Sequence, residues 1–266
     1  AVTWLFGTIH TLPRGVDWFR PHVAQALDAS DRLVMETTVP DSPGAALPVV
    51  MKLARLPAAR PEEERLPESW RPAWQRAKER LRPASLEWYD TWYIALTLSN
   101  LQDEANGLDP RIGVEPVLSE RARMRGKPIE ALETIEQQLI YFDALTEADQ
   151  QQLLMSTLAG LDTSKEFSQQ LVADWMGGRT DALAAKVNED FSQTPMLRRM
   201  LVEDRNQRWA AWIDNEMKTK PGKMFVAVGA GHLAGPGSLV TEMEKRGYQV
   251  QRVTAEPPPH KAKRRR

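Results

Sequence analysis

The sequence predicts an α/β (α+β) fold, with a central sheet built from both chain ends and a large helical insertion between them. Three observations carry that reading. Short apolar runs of strand length, Thr3-Trp4-Leu5-Phe6 and Met224-Phe225-Val226-Ala227-Val228, stand near opposite ends. Each runs straight into a Gly-x-x-His tetrapeptide, Gly7-Thr8-Ile9-His10 and Gly229-Ala230-Gly231-His232. The stretch between them carries its apolar residues at helical spacing. In an open α/β sheet, groups just past the carboxyl ends of the strands converge on the ligand crevice. His10 and His232 are therefore expected to meet in space.

Taken in order, the amino-terminal segment reads strand, loop, helix, strand. Trp4 to Phe6 form the first strand, Pro21 to Ala29 a short amphipathic helix, and Arg32 to Glu36 the second strand. A helical insertion over about 48–105 follows, with helices at Pro67 to Leu81 and Ser85 to Leu98. Residues 56–66, rich in proline and charge, read as a loop. Short apolar segments at Gly113-Val114 and Pro128 to Leu132 add strands. The insertion resumes over about 136–218, with helices at Glu147 to Leu158, Ser164 to Met176, Arg179 to Asn188 and Thr194 to Lys218. The carboxyl end mirrors the amino end: a strand to Val228, a helix from Ser238 to Arg246, and a strand from Tyr248 to Val253. Gly247 is placed to end that helix as a left-handed cap. Sheet segments at about 1–40, 110–135 and 222–254 and the insertion make one domain over 1–255, with 256–266 a disordered basic tail.

A chain of 266 residues can bury a sizeable core. Cysteine is absent, which removes disulfides, thiolate metal sites and a cysteine nucleophile together. No run of 18 apolar residues occurs, so no transmembrane helix is expected. The net charge is −1, but Lys261, Lys263, Arg264, Arg265 and Arg266 crowd the last six residues and leave an acidic body. Such a body argues against nucleic acid as a partner. The tail behind Pro257-Pro258-Pro259 reads as a solvated end, with attraction to an anionic membrane or to nucleic acid as the alternative. A start at Ala1 is compatible with a removed signal peptide or anchor, and through it with membrane proximity.

Four histidines occur, and two share one local setting. A neutral imidazole suits Zn, Mn, Co or Fe and also serves as a base near neutral pH. Gly7 and Gly229, three residues before each, let the backbone turn after the strand and leave room for a ligand. Glu36 ends an apolar strand, at the sheet rim or in the crevice. Two imidazoles and a carboxylate would leave a position open for water, and without metal Glu36 could activate water or orient an imidazole. Arg205 falls on the apolar stripe of the helix that carries Leu197, Leu201, Trp209, Trp212 and Ile213, with Asn206 at its margin. A buried guanidinium needs a carboxylate, carbonyls or a ligand, and could stabilise an oxyanion. Trp70/Trp74, Trp88/Trp92 and Trp209/Trp212 read as packing pairs. His22 and His260 carry no specific expectation.

The order Gly7 to His10, Val34-Met35-Glu36, Arg205-Asn206 and Val228 to His232 resembles the TraB/GumN family, which includes the Tiki proteases. Gly113-Val114-Glu115, Gly126-Lys127-Pro128, Leu132-Glu133-Thr134 and Glu136-Gln137 extend the resemblance, which runs from Trp4 to Val253. Glu115 stands where an Asp is common in the family. The resemblance implies an α/β core related to the erythromycin esterase and ChaN-like folds. In Tiki proteins the activity is that of a divalent-metal-dependent protease that trims a secreted signalling protein. It implicates His10, His232 and Glu36 as the metal site, strengthens Arg205, and identifies no fourth ligand. The expected function is a metal-dependent hydrolase, a peptidase acting on a peptide or protein, on an extracytoplasmic face of a bacterial cell. Its ion would be Mn, Co or Zn. Two alternatives stand beside it: a metal-independent esterase using His10 as base, and a non-catalytic protein that binds a peptide, haem or small ligand.

Overall fold

The computed structural model describes residues 2–37, 44–61, 64–190 and 195–253. In chain order its elements are β1 (Val2–Thr8), β2 (Leu12–Pro13), α1 (Pro21–Asp28), β3 (Arg32–Met35), α2 (Leu47–Leu53), α3 (Arg71–Leu81) and α4 (Thr91–Ala105). Next come β4 (Leu108–Asp109), α5 (Val114–Met124), β5 (Ile129–Ala131), α6 (Ile135–Asp143), α7 (Glu147–Gly160) and α8 (Ser164–Met176). The chain ends in α9 (Thr180–Asp190), α10 (Pro195–Arg198), α11 (Asp204–Thr219), β6 (Lys223–Gly229) and α12 (Leu239–Lys245).

A parallel sheet in the order β1-β6-β3-β5 forms the centre, and β2 pairs antiparallel with β4 beside it. The first and last strands are thus neighbours, with Gly7 opposite Val228 and Thr8 opposite Gly229. Parallel strands covered on both faces read as nearly unbroken apolar runs, and β6 shows why. Phe225 and Ala227 pack to one side with Leu33, Met35, Leu27 and Leu118, while Met224, Val226 and Val228 pack to the other with Trp209, Ile213 and Leu239. The alternation is the two-residue period of a pleated strand. A separate apolar cluster around Trp74, Ile94, Leu98, Leu154 and Leu158 holds the inserted helices together.

The sheet from both ends and the helical insertion are as expected, and so is the Gly247 cap, at φ +87°. Four local readings differ. Tyr248 to Val253 adds no strand: β6 already lies between β1 and β3, and the segment pairs with neither edge. Tyr248 instead turns its hydroxyl to Asp214 on α11, at 2.7 Å. Gly113-Val114 is not a strand but the start of α5, whose Pro116 is tolerated in a first turn that has no intrahelical acceptors for its N–H groups. The helix expected from Ser85 begins only at Thr91, because Leu56 N–H and Arg60 N–H take the carbonyls of Trp88 and Glu87. The helix expected from Thr194 is interrupted by a π-helical turn, Arg199–Glu203, directly before Arg205. Such turns re-aim the side chains that follow. Of the tryptophan pairs, Trp74, Trp92 and Trp209 are core residues, whereas Trp88 is exposed. Thr194 and the tail 256–266 lie outside the described residues.

Candidate functional site

Three neighbouring strands end at one rim of the sheet, and each delivers a candidate group there. Beyond β1, the Gly7-Thr8-Ile9 turn presents His10. Its Nδ1 lies 2.6 Å from Glu115 Oε1, and its side chain is 67% exposed. Glu115 comes from the first turn of α5, where a carboxylate is favoured by the helix dipole. The loop and the helix meet closely enough to require Gly113. A methyl group there would overlap the His10 carbonyl oxygen, and Val114 N–H donates to the Ile9 carbonyl at 3.2 Å. Protein atoms crowd the ring although its side chain reaches water, and that crowding alone would lower the His10 pKa; the hydrogen bond and charge of Glu115, with the charge of Glu36, outweigh it and raise it to about 9.

Glu36, directly after β3, is buried. Its Oε1 accepts the Gly229 N–H at 2.6 Å, and its Oε2 accepts from Arg205 Nη2 at 2.8 Å and from Gln138 Nε2 at 3.2 Å. Burial raises the cost of its charge. The pull of His232, Arg205 and His10, with the Gly229 N–H, outweighs that cost and holds its pKa down at about 2. Arg205 is clamped on every side. Its Nε donates to Glu133 Oε2 at 3.0 Å, its Nη1 to the Leu201 carbonyl at 3.0 Å, and its guanidinium stacks 4.5 Å from the Trp209 ring.

His232, on the short turn after β6, is buried and its tautomer is set by a chain of donors. Asn206 Nδ2 donates to the Gly237 carbonyl at 2.8 Å, which turns Asn206 Oδ1 toward His232 Nδ1, also at 2.8 Å. That oxygen can only accept, so Nδ1 carries the proton and Nε2 keeps its lone pair. Arg205 Nη1 donates to that lone pair at 3.2 Å. Burial and Arg205 lower the His232 pKa to about 4, so the ring is neutral at physiological pH.

Gly229 is the point where these groups meet. A methyl group there would lie 3.2 Å from Glu36 Oε1, 3.6 Å from the His232 ring and 3.8 Å from His10 Nε2. Both Nδ1 atoms are held by the protein, and His232 Nε2 lies 3.7 Å from Glu36 Oε1. Histidines that hold a cation are commonly fixed through their other nitrogen in this way. Glu36, Glu115 and Glu133 are set against Arg205, a protonated His10 and, at the outer edge, Arg208, so an ion that displaced the His10 proton would meet three carboxylates and two guanidinium groups. The donor set therefore fits a divalent cation in kind. Among the described residues, however, no three His, Asp or Glu side chains stand in ligating geometry as they are. For all three to bind, His10 must give up its proton and His232 Nε2 must leave Arg205.

The structure thus brings His10, Glu36, Arg205, Asn206, Gly229 and His232 together. Gly7 faces away from this group: a methyl there would sit 3.1 Å from Ala230 Cα, so its bareness lets β1 pack on the turn after β6. Glu115, Glu133, Gln138 and Gly113 were not singled out by residue chemistry, although Glu115, Glu133 and Gly113 lie in the segments that carry the family resemblance. A signal for Glu133 existed. It lies two residues past β5, where its N–H donates to the Glu36 carbonyl at 2.8 Å, and Thr134 and Gln137 form a capping box that marks the strand-to-helix passage.

The model of the TraB/PrgY/gumN family matches residues 1–252. The uncharacterized protein YbaP of Escherichia coli (strain K12) is 28% identical over 237 residues, covering 88% of this chain and 85% of its own length. YbaP of Shigella flexneri matches to the same extent. No solved structure matches the chain significantly.

Proposed function

The chain belongs to the TraB/PrgY/gumN family, and from that premise and the site geometry we propose that it is a metal-dependent hydrolase, a peptidase. The observation that carries the reading is the convergence of His10 Nε2, His232 and Glu36 Oε1 on the bare face of Gly229, with Glu115 and Asn206 holding the two rings from behind. His10, His232 and Glu36 would hold the ion. A bound divalent ion supplies Lewis acidity, polarising a carbonyl and making water easier to deprotonate. Glu36, ionised above a pH of about 2, acts as a ligand rather than as a proton acceptor. Asn206 presents the His232 lone pair, and Arg205 holds Glu36 in place as a positioning residue. In hydrolysis the water oxygen bonds to the carbonyl carbon, the carbon–nitrogen bond breaks, and a water proton passes to the departing amine. The choice of a peptide substrate and of an extracytoplasmic location rests on the resemblance to the Tiki proteases.

A second reading is favoured by one contact, that of Arg205 Nη1 with His232 Nε2, which places a guanidinium where the ion would approach. There the site works without metal, and His10 takes the proton from water. A base with a pKa near 9 is mostly protonated at neutral pH, so such activity should climb with pH up to about 9. Turnover of a peptide library after exhaustive chelation, and after return of Mn, Co or Zn, decides between them. Loss on chelation and recovery with one ion supports the metal reading. Full activity after chelation, rising toward pH 9, supports the second. A chain that turns over nothing under either condition contradicts both.

A further inference from the structure

Beside the His10 turn lies a cavity of about 460 Å³ between α4, α7 and α8. Its size falls in the range of small-ligand pockets, roughly 300–1,000 Å³. Ile9 and Thr11, the neighbours of His10 on either side, both line it. Its wall is apolar through Ile9, Leu108, Leu161, Phe167, Leu171 and Val172.

The polar part of the wall combines Ser and Thr hydroxyls with Gln102 and two carboxylates, Asp103 and Glu189. Gln102 is 2% exposed, and its Oε1 is buried with no hydrogen-bond partner. A relay fixes which amide atom that is. Ser164 O–H donates to the Leu161 carbonyl at 2.9 Å, so its oxygen accepts from Asn106 Nδ2 at 3.0 Å. Asn106 Oδ1 then accepts from Gln102 Nε2 at 2.9 Å, which leaves Gln102 Oε1 as a bare acceptor. A buried acceptor left unpaired costs free energy that a donor-bearing ligand would recover. Next to it, Asp103 has Thr11 Oγ1 as its hydrogen-bond donor, at 3.3 Å. Burial without a cationic partner pushes the Asp103 carboxyl above its ordinary range. No Lys, Arg or His lines the cavity among the described residues. Lys186 comes near only by stacking 5.0 Å from the Phe167 ring.

An apolar wall that ends in an unpaired carbonyl, a carboxylate and serine hydroxyls fits an aliphatic stem with a terminal ammonium. We infer that this cavity is a specificity pocket for a lysine side chain of the substrate, seated beside His10. The inference rests on the hydrolase reading for the word substrate, but the binding itself does not. A free alkylamine shares the chemistry, so the test separates the two sources.

The experiment is calorimetric titration with Nα-acetyl-lysine methylamide, its norleucine counterpart and n-butylamine. The lysine compound should bind at least about tenfold more tightly than either of the others, the effect of one charge-assisted hydrogen bond. Gln102→Leu and Asp103→Asn should each weaken it about tenfold and leave norleucine binding unchanged. Asp103→Asn is the conservative change and keeps the test sound if Gln102→Leu does not fold. The His10→Ala/His232→Ala variant should retain the lysine preference, so that a failed hydrolase reading leaves this result standing. Equal binding of lysine and norleucine, indifference to both pocket changes, or n-butylamine binding as tightly as the peptide compound would overturn the inference.

Discussion

The two Gly-x-x-His motifs share a sequence pattern, a strand partnership and a rim of the sheet, yet they put their histidines in opposite states. His10 is exposed and leans on the carboxylate of Glu115, which drives its pKa up to about 9. His232 is buried, leans on the amide of Asn206 and faces Arg205, and its pKa falls to about 4. What differs is the partner each ring finds across the fold, 105 residues away for His10 and 26 for His232. A motif can state where a histidine goes; its protonation is written elsewhere in the chain.

The largest expected effect comes from breaking the charge cluster on the His232 side. Arg205→Leu leaves Glu36 buried without its guanidinium and Glu133 with only Arg208, 3.6 Å away at the outer edge. Breaking a buried pair by removing one partner costs on the order of 3–5 kcal/mol, so the thermal midpoint should fall sharply or folding should fail. On the exposed side, Glu115→Gln should lower the midpoint by far less.

The next effect separates two glycines. Gly113→Ala forces the His10 backbone away from α5 and should cost about 1–3 kcal/mol in denaturant unfolding, as overpacking against backbone does. Gly229→Ala meets only side-chain atoms at 3.2 Å or more and should cost less, while filling the space where His10, Glu36 and His232 meet. It should therefore abolish metal binding and turnover in a folded protein. Equal stability losses for the two would break the distinction.

A subtler change exchanges the environments of the histidines. In metal-free protein followed by NMR, Glu115→Gln should bring the His10 titration down from about 9 toward 6.5, and Asn206→Asp should raise that of His232 above 4. Rings that titrate alike in the native protein would contradict the comparison.

The smallest effect is on stability against pH. His10 has a raised folded pKa, so its pairing with Glu115 stabilises fully below about 6.5 and is lost as pH climbs through about 9. For so exposed a ring, screening limits this to about 1 kcal/mol or less. The midpoint difference between native protein and Glu115→Gln should accordingly be present at pH 6 and vanish above pH 9. His232 works in the other direction: its folded pKa is depressed, so its contribution is present above about 6.5 and lost as pH falls toward 4.

Much of this was legible in the chain because it is local. Apolar runs followed by Gly-x-x-His located the strand ends, and the helical stripe placed Arg205 indoors, where it is 7% exposed. The clamp around it was not legible, since Glu133 is 72 residues away and the π-helical turn before Arg205 leaves no periodic trace. Gly113 escaped for a similar reason. Its bareness answers a carbonyl 103 positions earlier, at a φ of −59° that any residue adopts. The expected strand at Tyr248 failed because pairing depends on which sheet edges are free, and a β-like run of residues does not say so.

The central claim is that the two Nε2 atoms and Glu36 form one cation site. The direct measurement is calorimetric titration of Mn, Co or Zn at pH 7 in two buffers of different ionisation enthalpy, with native protein and the His10→Ala/His232→Ala variant. One ion bound per chain, with about one proton released from His10 and both signals lost in the variant, is the predicted result. Binding that survives unchanged in the variant, or a native chain that takes up no ion, would contradict it.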